Sequence, residues 1–167
     1  LLVQAQAYRK QYGFNSIHLL PVNMYGPFDN FDLKSSHVIP ALIVRISEAK
    51  KLGIPEVSIG GVGAASREFL YVTDSARAIV KATELYDKEE PVNIGSGTEI
   101  SIFNLAQFIA TKLNYDGRIA IGADIPEGQP RRCLDTSKAE KEFGFKASVS
   151  LSQGLDYTIK WYQNAQR

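Results

Sequence analysis

Pro21-Val22-Asn23-Met24-Tyr25-Gly26-Pro27 carries a short apolar run into a turn, and the reading of the fold starts there. Upstream, Ile17-His18-Leu19-Leu20-Pro21-Val22 is almost continuously apolar, the pattern of a short buried strand. Downstream, Asn23 to Ser35 collects glycine, proline and aspartate and reads as an irregular loop. A strand that empties into such a loop is where open α/β sheets hold their ligands. Fold class then depends on whether helices and strands alternate on both sides of this stretch.

They do. Leu1 to Tyr12 reads as a helix with Leu1, Ala5, Tyr8 and Tyr12 on one face and Gly13 as its stop. Leu1 is not an initiator methionine and no capping residue precedes it, so the start reads as a cut end. On the other side, Ser35 or Ser36 is expected to cap a helix over His37 to Leu52, with Pro40 tolerated in its first turn and Gly53 ending it. Glu56 to Ile59 and Glu68 to Val72 read as strands joined by a glycine-rich connection from Gly60 to Ser66. Thr73 or Asp74 is expected to cap a helix running to Tyr86, and Pro91 to Ile94 is a further strand. The turn Gly95-Ser96-Gly97 leads to a helix over Ser101 to Leu113, with Ile102, Leu105, Ile109 and Leu113 on its buried stripe. Arg118 to Ile121 is a strand, and Asp135-Thr136-Ser137 opens a short helix ending at Gly144. Ser150-x-x-Gln153 is a capping box for the last helix, turned inward by Leu151, Leu155, Ile159 and Tyr162.

The alternation gives an α/β fold. It is not a complete dinucleotide-binding domain. Gly95-Ser96-Gly97-Thr98-Glu99 lacks the third glycine of a phosphate loop, and Glu99 would repel phosphate, so this turn reads as a structural corner.

With 44% hydrophobic and 22% charged residues, the 167-residue chain has the composition of one ordered domain, which argues against disorder. Nineteen basic groups against eighteen acidic ones, without long runs of either, give no electrostatic case for a nucleic-acid or membrane partner. The single Cys133 cannot form an internal disulfide, no signal-type or spanning apolar segment is read, and a reducing cytoplasm fits best. No metal site is expected.

Further motifs lie around the opening stretch: Asp29-Asn30, then Ser35-Ser36-His37-Val38-Ile39-Pro40, then Arg67-Glu68-Phe69-Leu70-Tyr71-Val72, and Pro126-Glu127-Gly128-Gln129-Pro130-Arg131. Together with Pro21 to Pro27 they resemble the second half of the extended short-chain dehydrogenases that remodel nucleotide sugars, the NAD-dependent epimerase/dehydratase family, along nearly the whole chain. The resemblance implies the C-terminal part of such an enzyme: 1–24 as the tail of a Rossmann domain, and the whole of 1–167 as a substrate-binding portion. The N-terminal dinucleotide-binding loop and the Tyr-x-x-x-Lys pair have no match here, that lysine falling just before Leu1. The implied activity of the intact enzyme is NADP(H)-dependent: inversion of carbons 3 and 5 of GDP-4-keto-6-deoxy-D-mannose by proton transfer, then hydride delivery to carbon 4. The alternatives are another nucleotide-sugar epimerase or dehydratase, or a non-catalytic module that binds a nucleotide sugar or a partner protein. The chain alone is expected to be inactive and to bind no cofactor tightly. Its first helix, part of a four-helix dimer interface in such enzymes, is expected to drive homodimerisation or other self-association.

Each candidate residue has a plain structural reading beside the one the resemblance implies. His37 could simply cap or pack a helix; the resemblance makes it a cofactor contact and the acid of epimerisation, opposite a cysteine base in the other half. His18, inside the apolar run, reads as structural. Pro21, Val22, Asn23 and Met24 match the nicotinamide side of the cofactor site, although Asn23 could equally make an Asx turn after a strand. Most arginines are solvated, but Arg45 and Arg67 match basic contacts to the substrate diphosphate, for which a guanidinium fork is suited. Glu127 stands where the family has aspartate, a substrate contact with altered reach. Arg131 is a further candidate for the anion site, whereas Arg132 reads as solvated. Gly60 replaces an expected tryptophan, which removes an aromatic face from the substrate side and leaves the sugar unassigned. Trp161 reads as packing and does not replace it.

Overall fold

The computed structural model describes residues 1–60, 65–122 and 129–165. Six helices and eight short strands alternate along it: α1 Leu2–Tyr12, β1 Leu19–Pro21, β2 Asn23–Tyr25, α2 Val38–Leu52, β3 Glu56–Ile59, β4 Ser66–Tyr71, α3 Val72–Leu85, β5 Val92–Ile94, β6 Glu99–Ser101, α4 Ile102–Lys112, β7 Arg118–Ile121, β8 Arg131–Arg132, α5 Ser137–Phe143 and α6 Leu151–Ala165. This is the expected α/β class.

The strands pair mostly in parallel. β1 lies beside β5 with Leu19 opposite Val92, β2 beside β4 with Asn23 opposite Phe69, and β3 beside β7 with Glu56 opposite Arg118. Ser66 and Arg67 of β4 pair on both sides, with β6 in antiparallel register and with β8 in parallel. The segment from Leu19 to Tyr25 therefore changes neighbour midway. Val22 N–H still donates to Ile94 O at 2.9 Å, and one residue later the chain pairs with β4. Asn23 to Tyr25, expected as loop, is strand for this reason: β4 offers it an open ladder edge that local sequence cannot announce.

Two apolar clusters hold these layers. The larger gathers Ile39, Leu42, Ile43, Ile46 and Ala49 of α2, at the three-and-four spacing of a helix face, against Leu105 and Ile109 of α4 and Leu155 and Ile159 of α6. The smaller joins Leu70 of β4 to Ala78 and Ala82 of α3, Ile94 of β5 and Phe143 of α5, with Leu19 and Val22 packed on its edge. The buried-strand expectation for residues 17–22 is corrected here. Leu20 is half exposed and the burial of β1 is partial, because among the described residues it has one strand neighbour. The first helix likewise buries none of its residues, so Leu1, Tyr8 and Tyr12 face outward.

Helix ends follow the sequence in part. Gly13, Gly53 and Gly144 all stand in the left-handed region just past α1, α2 and α5, the conformation that glycine alone adopts without cost. The capping box is formed: Gln153 N–H donates to Ser150 Oγ at 3.3 Å and Ser150 N–H to Gln153 Oε1 at 3.2 Å. Two expected caps are not. Ser35 and Ser36 donate their N–H groups to Asp32 O at 3.0 and 2.7 Å, one turn too early, and His37 becomes the residue preceding α2. Tyr71 precedes α3, leaving the buried Asp74 carboxylate to accept from Ser148 N–H at 2.8 Å and Val149 N–H at 2.9 Å. It thereby ties α3 to the approach of α6.

Gly154 lies within α6 where a helix would ordinarily prefer a side chain. An added Cβ would overlap the Tyr25 hydroxyl, so the glycine lets β2 and α6 close on each other.

Candidate functional site

The change of strand neighbour at Val22 opens a crevice at the carboxyl end of β1. Pro21 to Asp29 bend around it, and Tyr71, Val72 and Thr73 close the other side, enclosing about 850 Å³ with a mainly apolar lining. A second cleft of about 310 Å³ adjoins it, lined by Val38, Pro40, Arg67, Phe69 and Ile102 among others. Asn23, Met24 and His37 border both. His37 comes to this shared wall because α2 begins directly after it, with φ −74° and ψ 171° holding it extended at the helix entrance rather than inside the first turn. Its side chain is exposed and, among the described residues, its ring donates to and accepts from nothing.

Asn23 is half-buried and donates from Nδ2 to Glu68 O at 3.3 Å, which fixes the amide, and its Oδ1 accepts from nothing among the described residues. Its expected turn-forming role does not appear, since it is strand. Arg67 donates to Ser66 O at 2.6 Å and has no carboxylate partner among the described residues, so the smaller cleft carries a cation.

Arg45 is placed differently. Eight residues along α2 from His37, about 12 Å at 1.5 Å per residue, it donates to Ser58 O at 2.7 Å and lines neither cleft. Glu127 lies outside the described residues, as do Gly61 to Ala64 of the glycine-rich connection. Arg131 is paired with Glu99 at 2.9 Å. The Ser66 hydroxyl donates to the same carboxylate, and these two partners hold Glu99 below the usual carboxylate range. His18 lines neither cleft and keeps a buried Nε2 without a partner among the described residues.

Beneath this site lies a group the sequence reading passed over. Glu68 is wholly buried, and its carboxylate accepts from Gly97 N–H at 2.7 Å and Leu134 N–H at 2.9 Å. It locks the Gly95–Gly97 corner and the segment after β8 onto β4, next to Arg67, and its own carbonyl is the one that receives Asn23. The corner is thus structural, as read, and its N–H is spent on a side chain. Burial, followed by the neighbouring Glu68 and Glu99 charges, pushes the Cys133 thiol up, which makes it a poor nucleophile.

Tyr25 and Phe28 were also passed over. Tyr25 is buried edge-on to Phe69 and Tyr71, and desolvation first, then Tyr71 and Asp74, raises its phenol far above the ordinary value. Phe28 sits in a reverse turn closed by Asp29 N–H donating to Gly26 O at 3.4 Å. Pro27 occupies the first central position and Phe28 the second, with φ 68°. That is a type II turn, whose second central position calls for glycine. A bulky residue held there costs about 1–2 kcal/mol. A signal existed: Gly-Pro-x-Asp is turn chemistry, and an aromatic at x is out of place.

Short, mostly parallel strand pairs with a ligand-sized crevice where the chain changes strand neighbour define the class: a partial short-chain dehydrogenase-type α/β fold. The chain belongs to the NAD dependent epimerase/dehydratase family, which matches residues 2–95. It is 44% identical over 157 residues to a probable GDP-L-fucose synthase 1 of Oryza sativa subsp. japonica, covering 94% of this chain and 48% of that protein. It is also 44% identical over 150 residues to a GDP-L-fucose synthase of Sinorhizobium fredii, covering 90% and 48%. A GDP-L-fucose synthetase structure from Naegleria fowleri superposes with a TM-score of 0.89 at 25% identity, over 99% of this chain and 52% of that one. The chain spans about half the length of the curated relatives it matches. No described helix is long and apolar enough to cross a membrane.

Proposed function

We propose that this chain is the substrate-binding portion of an NADP-dependent GDP-sugar epimerase/reductase of the GDP-L-fucose synthase kind, with residues 1–24 completing its Rossmann domain. The observation that carries the reading is the position of His37 on the wall shared by an apolar cleft and a cationic one. The apolar cleft suits a nicotinamide: Pro21, Val22 and Met24 offer a flat apolar floor, and Asn23 presents an anchored amide to a carboxamide. Bound NADPH would supply the hydride for reduction at carbon 4. Phosphate contacts come from elsewhere, since the Gly95–Gly97 corner is committed to Glu68.

Within the cationic cleft, Arg67 takes the diphosphate of a GDP-sugar, leaving the sugar ring against His37. The His37 ring there donates a proton to carbon 3 or 5 of the enolate left when a base on the opposite face has removed the original proton. Inversion results because loss and gain occur from opposite sides. Arg45, a dozen ångströms along α2, would meet only the far end of an extended ligand, and Glu127 is proposed as a contact to the sugar hydroxyls.

The test uses the chain joined to an N-terminal half carrying a glycine-rich loop and Tyr-x-x-x-Lys. His37→Gln should slow inversion at carbons 3 and 5 by about 10²–10⁴-fold, the usual range for general acid catalysis, with the melting temperature unchanged. Reduction of the uninverted keto sugar should survive. Product NMR showing near-normal double inversion would sink the assignment.

A further inference from the structure

Phe28 combines features that packing does not explain. Its backbone is held in the left-handed region at a turn position suited to glycine, yet its ring is 87% exposed. The ring is not loose. It tilts against Trp161 at 5.2 Å between centroids; Trp161 stacks on Phe31 at 5.7 Å, and Phe31 on Tyr162 at 4.9 Å. A row of four aromatic rings thus runs from the core, where Tyr162 is buried, to the lip of the large cleft, which Phe28 lines. Strain at a non-glycine residue persists where its surroundings over-determine it, and such residues cluster at ligand clamps. An exposed ring gains little from the fold itself and much from a ligand that covers it.

We propose that Phe28 is a stacking platform for a flat heteroaromatic ring bound in the large cleft, held at its angle by Trp161. Two sources offer that chemistry, the nicotinamide of a dinucleotide and the guanine of a nucleotide sugar. The platform rests on the reading of this cleft as a nucleotide-ligand site. It also assigns an aromatic face to a chain in which Gly60 provides none.

The lone tryptophan gives a single indole N–H signal to follow by NMR. Nicotinamide mononucleotide and guanosine monophosphate are titrated separately, to millimolar concentration, into the 167-residue chain. One of the two should shift the Trp161 indole saturably and so name the source. Phe28→Asn removes the ring but suits the left-handed turn position, so it should weaken that ligand by roughly fivefold or more, the low end of base–aromatic stacking. Its melting temperature should equal or exceed that of the unaltered chain, whereas Phe28→Tyr should bind within about twofold on the same stacking argument. Unchanged affinity in Phe28→Asn overturns the platform, as does a lowered melting temperature with affinity intact, which would mark packing alone. If a probe shifts Asn23 and Met24 but not the Trp161 indole, the platform fails and the cleft reading stands. If neither probe shifts any of the three, both fail.

Discussion

β1 and β2 are each three residues long, follow one another with a single residue between, and pair in parallel with one neighbour apiece. Sequence alone ranks Leu19-Leu20-Pro21 as the buried one and Asn23-Met24-Tyr25 as loop. The structure departs from this: Leu20 is half exposed, whereas Tyr25, next to an exposed Met24, is at 3% exposure. The difference lies in what the neighbours carry. β4 is flanked by β6 and β8 and roofed by α6, so β2 is drawn into the larger apolar cluster. β5 brings β1 only one edge and the smaller cluster. Burial is set by the company a strand keeps, and hydrophobicity decides only how much is gained once that company is present.

The contrast breaks most visibly at Glu68. Replacing it with alanine removes the acceptor of the Gly97 and Leu134 N–H groups, at roughly 0.5–1.5 kcal/mol for each hydrogen bond lost, and loosens the strand that shelters β2. Denaturant unfolding of Glu68→Ala should show this loss, and proteolysis should cut first around Gly97 and Leu134. A variant as stable as the original would mean that β2 owes its burial to apolar packing alone.

A smaller effect separates the strands by pH. Burial raises the Tyr25 phenol, so its contribution to stability is complete below the unfolded value of 10.0 and is lost progressively as pH rises above it. The unfolded chain ionises there while the folded chain resists. Alkaline unfolding should therefore steepen above pH 10, and Tyr25→Phe should blunt that limb. A profile identical in both proteins would place the sensitivity elsewhere, with Tyr71 or Tyr162, whose phenols are raised by burial as well.

The slightest change in stability is expected on the β1 side. Leu20→Ser should shift unfolding by no more than about 0.5 kcal/mol, as exposed positions do. Its effect should appear in association instead. Leu1, Val3, Tyr12, Leu20, Ile79 and Leu85 all stand exposed, apolar side chains whose cover would be gained on association. Light scattering should find the chain self-associated and Leu20→Ser less so; a monomer at every concentration would remove the basis for this expectation.

What could be read from the sequence was local chemistry. Gly13, Gly53 and Gly144 ended helices where expected, and Ser150 with Gln153 began one. Each depends on a handful of adjacent residues. The misread features depend on distant ones: the ladder edge that β4 offers Asn23, and the Asp32 carbonyl that claims Ser35 and Ser36. His37, Asn23, Met24 and Arg67 were picked out individually, and the fold brings them to one wall. Phe28 escaped because its turn follows the rules at Gly26 and Pro27 and departs from them at the one position where departure is informative.

The close approach of β2 and α6 at Gly154 constrains how this chain can vary. Tyr25 and Gly154 are complementary halves of one contact, so neither position is free to drift while the other stays. A bulkier residue at 154 becomes admissible only once the ring at 25 has shrunk, and the order of those two steps matters because the reverse order drives the added side chain into the Tyr25 hydroxyl. Chimeras that import the last helix from a relative inherit that dependence. They should be designed with the pair transferred together, even though 129 positions separate them in the chain.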